Sequence, residues 1–313
     1  MQEINYTAKM TMADPPLIRK LGVVSQAGEM TPFVRQGRLM QVETQSDGDP
    51  ETLIFEGSFV IRDLETGTCT EPVAPGWHFF SAYCEGPTVY VFGTNEQPNR
   101  IWGGDTIRLF WSDDLVSWQF KDVIRREGWL FYNTSVCRGD TGYRMAIEAG
   151  QPREKVGAPF TTFFASSDDL FSWTMLPDDV CYSRDRYTAC PALRYVEDDG
   201  YYYMVCLEAL PKARYAPYIY RTRDFVTWEI GLHNPILWIS KEDRMIKEGV
   251  KFDDETTSLI HSYLNINNCD VDFCEFQGKT IISYLTGDQL GTGFMCEAVY
   301  DGPLNQFLQA FFR

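Results

Sequence analysis

Three tryptophans, Trp118, Trp173 and Trp228, recur at equal intervals, and each closes nearly the same phrase. The phrases are Ser112-Asp113-Asp114-Leu115-Val116-Ser117-Trp118, Ser167-Asp168-Asp169-Leu170-Phe171-Ser172-Trp173 and Thr222-Arg223-Asp224-Phe225-Val226-Thr227-Trp228. A fixed period of about fifty residues marks a repeat architecture, and with short strands it predicts propeller blades. Each phrase reads as a hairpin corner. The Asp carboxylate caps a tight turn, while the Leu or Phe and the Trp pack between neighbouring sheets.

Upstream of each phrase a turn glycine opens a run of β-forming residues: Gly86 to Phe92, Gly142 to Glu148 and Gly200 to Glu208. The same pattern, without the tryptophan phrase, recurs at Gly37 to Glu43 and at Gly278 to Leu285. Such runs read as the second strand of a hairpin. Five units follow, at roughly 25–75, 78–128, 129–182, 183–240 and 263–313, each long enough for four short strands. The expectation is an all-β fold, a five-bladed β-propeller with four antiparallel strands per blade, forming one domain over residues 1–313. The charged stretch from Ser240 to Ser262 reads as a loop between the last two blades, and Asn305 to Phe312 as one short helical turn.

Bulk properties narrow the partners. No apolar run approaches the eighteen or so residues of a membrane span, and Met1 to Tyr6 lacks the pattern of a signal peptide. Nine cysteines without a C-x-x-C pair, an odd total, argue against a disulfide framework and for a reducing, cytoplasmic setting. The formal net charge of −16, with no Lys/Arg cluster, excludes the counterion-displacing face that nucleic-acid binding requires. Acidity of this kind suits a solvated surface or a site for a neutral polar ligand.

In a propeller, the start of each blade's first strand and the end of its second share one rim. Strand starts offer Glu29, Asn133, Tyr187 and the run Asn267-Asn268-Cys269-Asp270-Val271-Asp272; strand ends offer Glu43, Glu96, Glu148, Glu208 and Asp288. Glu148 and Glu208 each close an otherwise apolar strand. A carboxylate there loses solvation unless paired, and a raised pKa is what a general acid needs near neutrality. The competing reading pairs both with nearby Arg153, Arg184, Arg186 or Arg214. Aligned on their methionines the two glutamates are offset by one residue, so either a bulge intervenes or they are not equivalent. Asp270 and Asp272, two apart, share one face of a strand. His78, His233 and His261 show no metal-ligand spacing, and no metal or cofactor is expected, although a channel Ca²⁺ is left open. His78 stands near the rim, and Trp77, Trp102, Trp129 and Tyr187 are candidate sugar-stacking aromatics. No nucleophile elbow, Walker loop or dinucleotide fingerprint is present.

The phrase Ser-x-Asp-Leu-x-x-Trp in three successive units of a five-unit chain resembles the five-bladed propeller glycoside hydrolases: the arabinanase/xylosidase group (family 43), the invertase/fructosidase group (family 32) and the mannoside phosphorylases (family 130). The resemblance implies catalytic acids at the starts of inner strands. Here Ala189 stands in the acid's place within Tyr187-Thr188-Ala189-Cys190-Pro191, Asn133 where an Asp is expected, and Thr31 where Asp precedes proline. The acids are therefore expected to be relocated, to Glu148, Glu208 and Asp270.

The resulting expectation is an exo-acting glycoside hydrolase for small oligosaccharides or terminal furanosides, with a carboxylate acid/base pair in the axial funnel. Glu29, Glu43, His78, Asn133, Arg153, Arg186, Tyr187, Arg214 and Asp272 are the candidate substrate-binding groups. The partner is a glycoside or oligosaccharide, with no nucleic acid or membrane involved. Two alternatives stand beside it: a glycoside phosphorylase using Arg184, Arg186 and Arg214 for phosphate, and a non-catalytic carbohydrate-binding propeller.

Overall fold

A computed structural model describes residues 14–26, 28–49, 54–95, 103–158, 160–212, 214–289 and 291–313. The three repeated phrases form the same corner. Asp114 Oδ1 accepts the backbone N–H groups of Val116 and Ser117 at 2.8 and 2.7 Å, and Asp169 and Asp224 do the same in the next two copies. The hydroxyls of Ser112, Ser167 and Thr222 accept from the backbone N–H two and three residues on. These side-chain caps hold Leu115, Leu170 and Phe225 at φ of 64°, 69° and 61°, a left-handed conformation that unsupported side chains avoid. Each tryptophan then packs against the preceding blade: Trp118 on Phe59 (5.1 Å between ring centroids), Trp173 on Phe92 (6.0 Å) and Trp228 on Phe164 (5.7 Å).

The strands follow in chain order as β1 (Ile18–Ser25), β2 (Met30–Arg35), β3 (Arg38–Asp49), β4 (Ile54–Asp63), β5 (Trp77–Glu85), β6 (Thr88–Asn95), β7 (Thr106–Ser112), β8 (Gln119–Arg125), β9 (Leu130–Arg138), β10 (Tyr143–Gln151), β11 (Thr161–Ser167), β12 (Trp173–Met175), β13 (Ala189–Val196), β14 (Tyr201–Leu210), β15 (Arg214–Thr222), β16 (Trp228–Ile230), β17 (Asn267–Phe276), β18 (Lys279–Gly287) and β19 (Gly293–Tyr300). They make five blades: β2–β4, β5–β8, β9–β12, β13–β16 and β17–β19 with β1. The first strands pack side by side, β2 on β5, β5 on β9, β9 on β13, β13 on β17 and β17 on β2. Aromatic and aliphatic residues fill the seams. Phe33, Val42 and Phe59 meet Phe80, Val91 and Phe110 between the first two blades. Phe92 and Leu109 meet Phe131 and Phe163 at the next seam, and Phe164 meets Tyr202, Tyr220 and Phe225 at the third.

Two features depart from the sequence expectation. Strand β1, which precedes the first predicted unit, pairs antiparallel with β19 and becomes the outer strand of the last blade, leaving three strands in the first. Burying the long free edge of β19 under a distant segment is a standard way to prevent edge pairing. The stretch from Ser240 to Ser262 is not an irregular loop. It holds a 3₁₀ turn (Lys241–Arg244) and helix α2 (Asp254–Ser262), which follows the short helix α1 (Arg153–Val156) in chain order. Asp253 caps α2 by accepting from Thr256 N at 2.7 Å. Helix α3 (Leu304–Ala310) buries Phe307 and Leu308 against the last blade.

The segment is anchored by Asp243, a wholly buried carboxylate. Asp243 receives Lys20 Nζ at 2.6 Å, Tyr284 Oη at 3.0 Å, Asn265 Nδ2 at 3.1 Å, Asn268 Nδ2 at 3.3 Å and Ser240 N at 2.9 Å. One carboxylate thus ties β1, the segment and the last blade together. A buried charge persists only with such complete pairing.

Candidate active site

Residues from all five first strands border one small opening at the axis, among them Glu29, Ser81, Asn133, Cys190 and Asp270. Its volume of about 30 Å³ admits a water-sized group. The local geometry comes from bulges in the first strands. The pairing of β5 with β6 slips between His78 and Ser81, that of β13 with β14 between Ala189 and Ala192, and that of β17 with β18 between Cys269 and Asp272. Phe79, Cys190 and Asp270, each the first residue of its slip, are left-handed at φ of 56°, 50° and 48°. A bulge re-aims the side chain it carries.

On the second strand the slip skips one residue, and the skipped residues are Gly93, Glu148, Cys206 and Tyr284. Glu148 therefore corresponds to Cys206, and Glu208 lies two residues further along its strand. The two glutamates are not equivalent.

Glu148 is 4% exposed. Its Oε2 accepts from Cys190 N at 2.8 Å and from Asn133 Nδ2 at 3.1 Å. Burial pushes its pKa up to about 7, those two hydrogen bonds pull it down, and the charge of Asp270 adds to the rise. Glu29 shares Asn133 as a donor, and its carboxyl is held well above the usual range by burial and by the charges of Asp270 and Glu148. The residue is only partly buried as a whole, yet its Oε2 is sealed from solvent and has no hydrogen-bond partner among the described residues. Asp270 is also raised by burial, partly offset by hydrogen bonds with the thiols of Cys190 and Cys269. The principal groups acting on these three carboxyls are one another, Asn133 and the thiols, with no cation among them. Three buried acids that feel one another's charge resist ionising together near neutrality, so they hold protons jointly.

The remaining candidates sit as follows. Tyr187 lies beside the cluster; burial and then the charges of Cys190, Glu148 and Asp270 keep its phenol protonated. Asp272 borders the opening, but its carboxylate accepts from Arg194 Nη2 at 2.5 Å and Phe273 N at 2.8 Å. The bulge breaks the simple alternation that would put it on one face with Asp270. Glu208 is held by Arg186, whose Nε donates to Oε2 at 3.0 Å and whose Nη2 donates to the same oxygen, while its Oε1 is buried without a partner among the described residues. Burial raises its pKa and Arg186 lowers it. Glu43 is buried in a two-pronged ion pair with Arg62, at 2.5 and 3.0 Å. The His78 ring fills the space above Gly57, where a Cβ would come within 2.3 Å of Nδ1. Arg153, at the start of α1, and Arg214, at the start of β15, are exposed. Trp129 is a core residue, 5% exposed. Trp77 packs edge-on against Phe110 at 5.7 Å under Arg108. Glu96 and Trp102 lie outside the described residues.

The structure thus gathers Glu29, Asn133, Glu148 and Asp270, with Tyr187 alongside. Cys190 and Cys269, both touching Asp270, were not anticipated. Their placement depends on the two bulges, and nothing in a one-dimensional pattern marks a bulge.

No family model matches the chain, and no curated protein matches it. Solved structures do. An α-L-arabinofuranosidase from Podospora anserina in complex with cellotriose superposes with a TM-score of 0.61 at 9% identity, covering 93% of this chain and 99% of that one. The catalytic domain of a Coprinopsis cinerea family 62 α-L-arabinofuranosidase gives 0.59 at 7% identity, over 92% and 98%. A Bombyx mori family 32 β-fructofuranosidase gives 0.52 at 13%, over 90% of this chain and 62% of that one. At these identities the likeness is one of fold: the chain has the all-β propeller architecture found in those hydrolases.

Proposed function

We propose that this protein is a glycoside hydrolase acting on the terminal residue of a small neutral oligosaccharide, a furanoside for preference. The observation that carries the reading is the meeting of Glu29, Glu148 and Asp270 at the axis, with Glu148 raised to about 7. Glycosidic cleavage needs one protonated carboxyl to hand a proton to the leaving oxygen and one carboxylate to attack the anomeric carbon or to activate water. Glu148 holds a proton near neutrality and is aimed by Asn133 and by Cys190 N; it is the proton donor. Glu29 or Asp270 supplies the carboxylate, and mutual repulsion keeps the other protonated. Glu208 and Arg186, locked to each other, serve as a rim pair for sugar hydroxyls rather than as the second acid. The whole described chain acts as one propeller domain, and its nine free thiols suit a reducing compartment such as the cytoplasm. The fold shared with arabinofuranosidases and a fructofuranosidase supports the choice of furanosides.

Phosphorolysis is the weaker reading, because a phosphate would enter beside three acids. Two arginines of the rim and the axis are already committed, Arg186 to Glu208 and Arg194 to Asp272. The test is nitrophenol release from a panel of nitrophenyl furanosides and pyranosides, with and without phosphate, for the natural protein and for Glu148→Gln and Glu29→Gln. Turnover of at least one glycoside without phosphate, reduced a hundredfold or more in both variants, is the expected result. Turnover that survives both substitutions overturns the site.

A further inference from the structure

Five aromatic rings stand around the mouth of the carboxylate cluster, each in contact with the next. Phe79 meets Tyr132 at 5.4 Å, Tyr132 meets Phe160 at 4.8 Å, Phe160 meets Tyr187 at 5.5 Å and Tyr187 meets Tyr215 at 5.7 Å between centroids. They come from three blades. Phe79 and Tyr132 lie near the starts of first strands, Phe160 and Tyr215 at the starts of third strands, and Tyr187 just before β13, so all five share the rim on which Glu29, Asn133 and Asp270 lie. Every one is partly exposed, unlike the buried aromatics of the seams. The arc also touches the acids electrostatically: the charge of Glu148 acts on the hydroxyls of Tyr132 and Tyr187, and that of Asp270 on Tyr187.

The backbone makes room for this arc. Gly150, two residues beyond Glu148 on β10, has no side chain. A Cβ there would lie 2.9 Å from the Phe160 ring and 3.0 Å from that of Tyr132. Gly103 does the same on the other side of Tyr132, at 2.8 Å. The opening between the first strands is small and open to solvent, and the arc stands at the rim beside it.

We propose that Phe79, Tyr132, Phe160, Tyr187 and Tyr215, successive rings turned 56–80° to one another, form a stepped platform, that the substrate's ring is laid by its C–H side on a face within it, and that this ring carries no anionic group. Stacking on aromatic faces is available to any saccharide with an apolar face, and a carboxylate or phosphate on the ring would be brought beside three acids, while Arg186 and Arg194 are already held by Glu208 and Asp272. The proposal rests on the glycosidase reading for the kind of ligand, but binding tests it separately from catalysis.

The experiment measures binding to Glu148→Gln by saturation-transfer NMR and by titration. The probes are p-nitrophenyl α-L-arabinofuranoside, β-D-xyloside, β-D-galactoside and β-D-glucoside, together with p-nitrophenyl β-D-glucuronide. At least one neutral glycoside is expected to bind, with tenfold or greater loss in Tyr187→Ala and Phe160→Ala and near-full affinity in Tyr187→Phe. The glucuronide should bind at least tenfold more weakly than the best neutral probe, a comparison that needs no ring-removing variant. Absence of binding by every neutral probe overturns the proposal, as does affinity indifferent to both alanine variants, or a glucuronide that binds as tightly as the best neutral probe. Platform-dependent binding without turnover by the natural protein overturns the hydrolase reading and leaves the platform standing.

Discussion

Replacing Glu148 by Gln should stabilise the protein at alkaline pH, and by an amount that can be worked out beforehand. Burial takes the Glu148 carboxyl from 4.5 to about 7, so the folded chain holds this proton more tightly than the unfolded chain does. The stabilisation is fully present below the unfolded value and is lost as pH rises through about 7. The size of the loss is about 3 kcal/mol, at about 1.4 kcal/mol per pH unit between the two values. A glutamine keeps the neutral form at every pH. Its carbonyl oxygen can accept from Cys190 N and Asn133 Nδ2 as Glu148 Oε2 does. Urea unfolding at intervals from pH 4 to pH 9 should therefore show the two proteins nearly equal at pH 4. By pH 9 the variant should be more stable by about 3 kcal/mol, with most of the change between pH 5 and 7. Glu29 and Asp270 titrate in the same direction in both proteins, so the difference isolates Glu148 and its coupling to them. A difference that stays constant within about 0.5 kcal/mol across the range would mean that Glu148 ionises like an ordinary surface glutamate, and the proton-donor assignment would fall with it. The same proton sets the alkaline limb of kcat/KM, which should bend near pH 7 in the natural protein.

Other consequences follow from single contacts. Asp243→Asn removes the ion-pair partner of Lys20 Nζ, whose side chain is 9% exposed, and should cost about 3–5 kcal/mol. The double variant Lys20→Met/Asp243→Asn should recover part of that in urea melts, and no recovery would mean that the remaining polar contacts, not the charge pair, anchor the segment. Leu170→Ala, at a buried left-handed turn position 2% exposed, should lose about 3 kcal/mol, read as a lowered urea midpoint; a loss under about 0.5 kcal/mol would remove the repeated corner from the list of stabilising elements. Adding phosphate should leave glycoside turnover unchanged, because Arg186 and Arg194 are occupied by Glu208 and Asp272; a rise with phosphate would favour phosphorolysis. Arg186→Ala should raise KM more than it lowers kcat, as expected for a rim group, and the reverse pattern would move Glu208 into the chemistry.

The amino-acid sequence by itself determined the repeated element of this protein and hence its class of fold. Local chemistry suffices for that. Ser-x-Asp-Leu-x-x-Trp encodes its own turn, because the Asp and Ser side chains cap backbone groups two and three residues away, and the Trp that follows needs only a neighbouring sheet to pack on. The turn glycines and β-forming runs placed the second strands in the same way. Glu148 was marked by the cost of ending an apolar strand on a carboxylate. What tertiary structure decided was non-local. Strand β1 finds β19 across most of the chain, and Lys20 finds Asp243, with no local signal for either pairing. The identity of the acids that meet Glu148 was settled by bulges at Cys190 and Asp270, each a one-residue slip that re-aims a side chain without altering the hydrophobic pattern around it. Glu208 and Glu148 look alike along the chain because each follows an apolar run. They differ in space because Arg186 stands beside one, and Glu29, Asn133 and Asp270 beside the other.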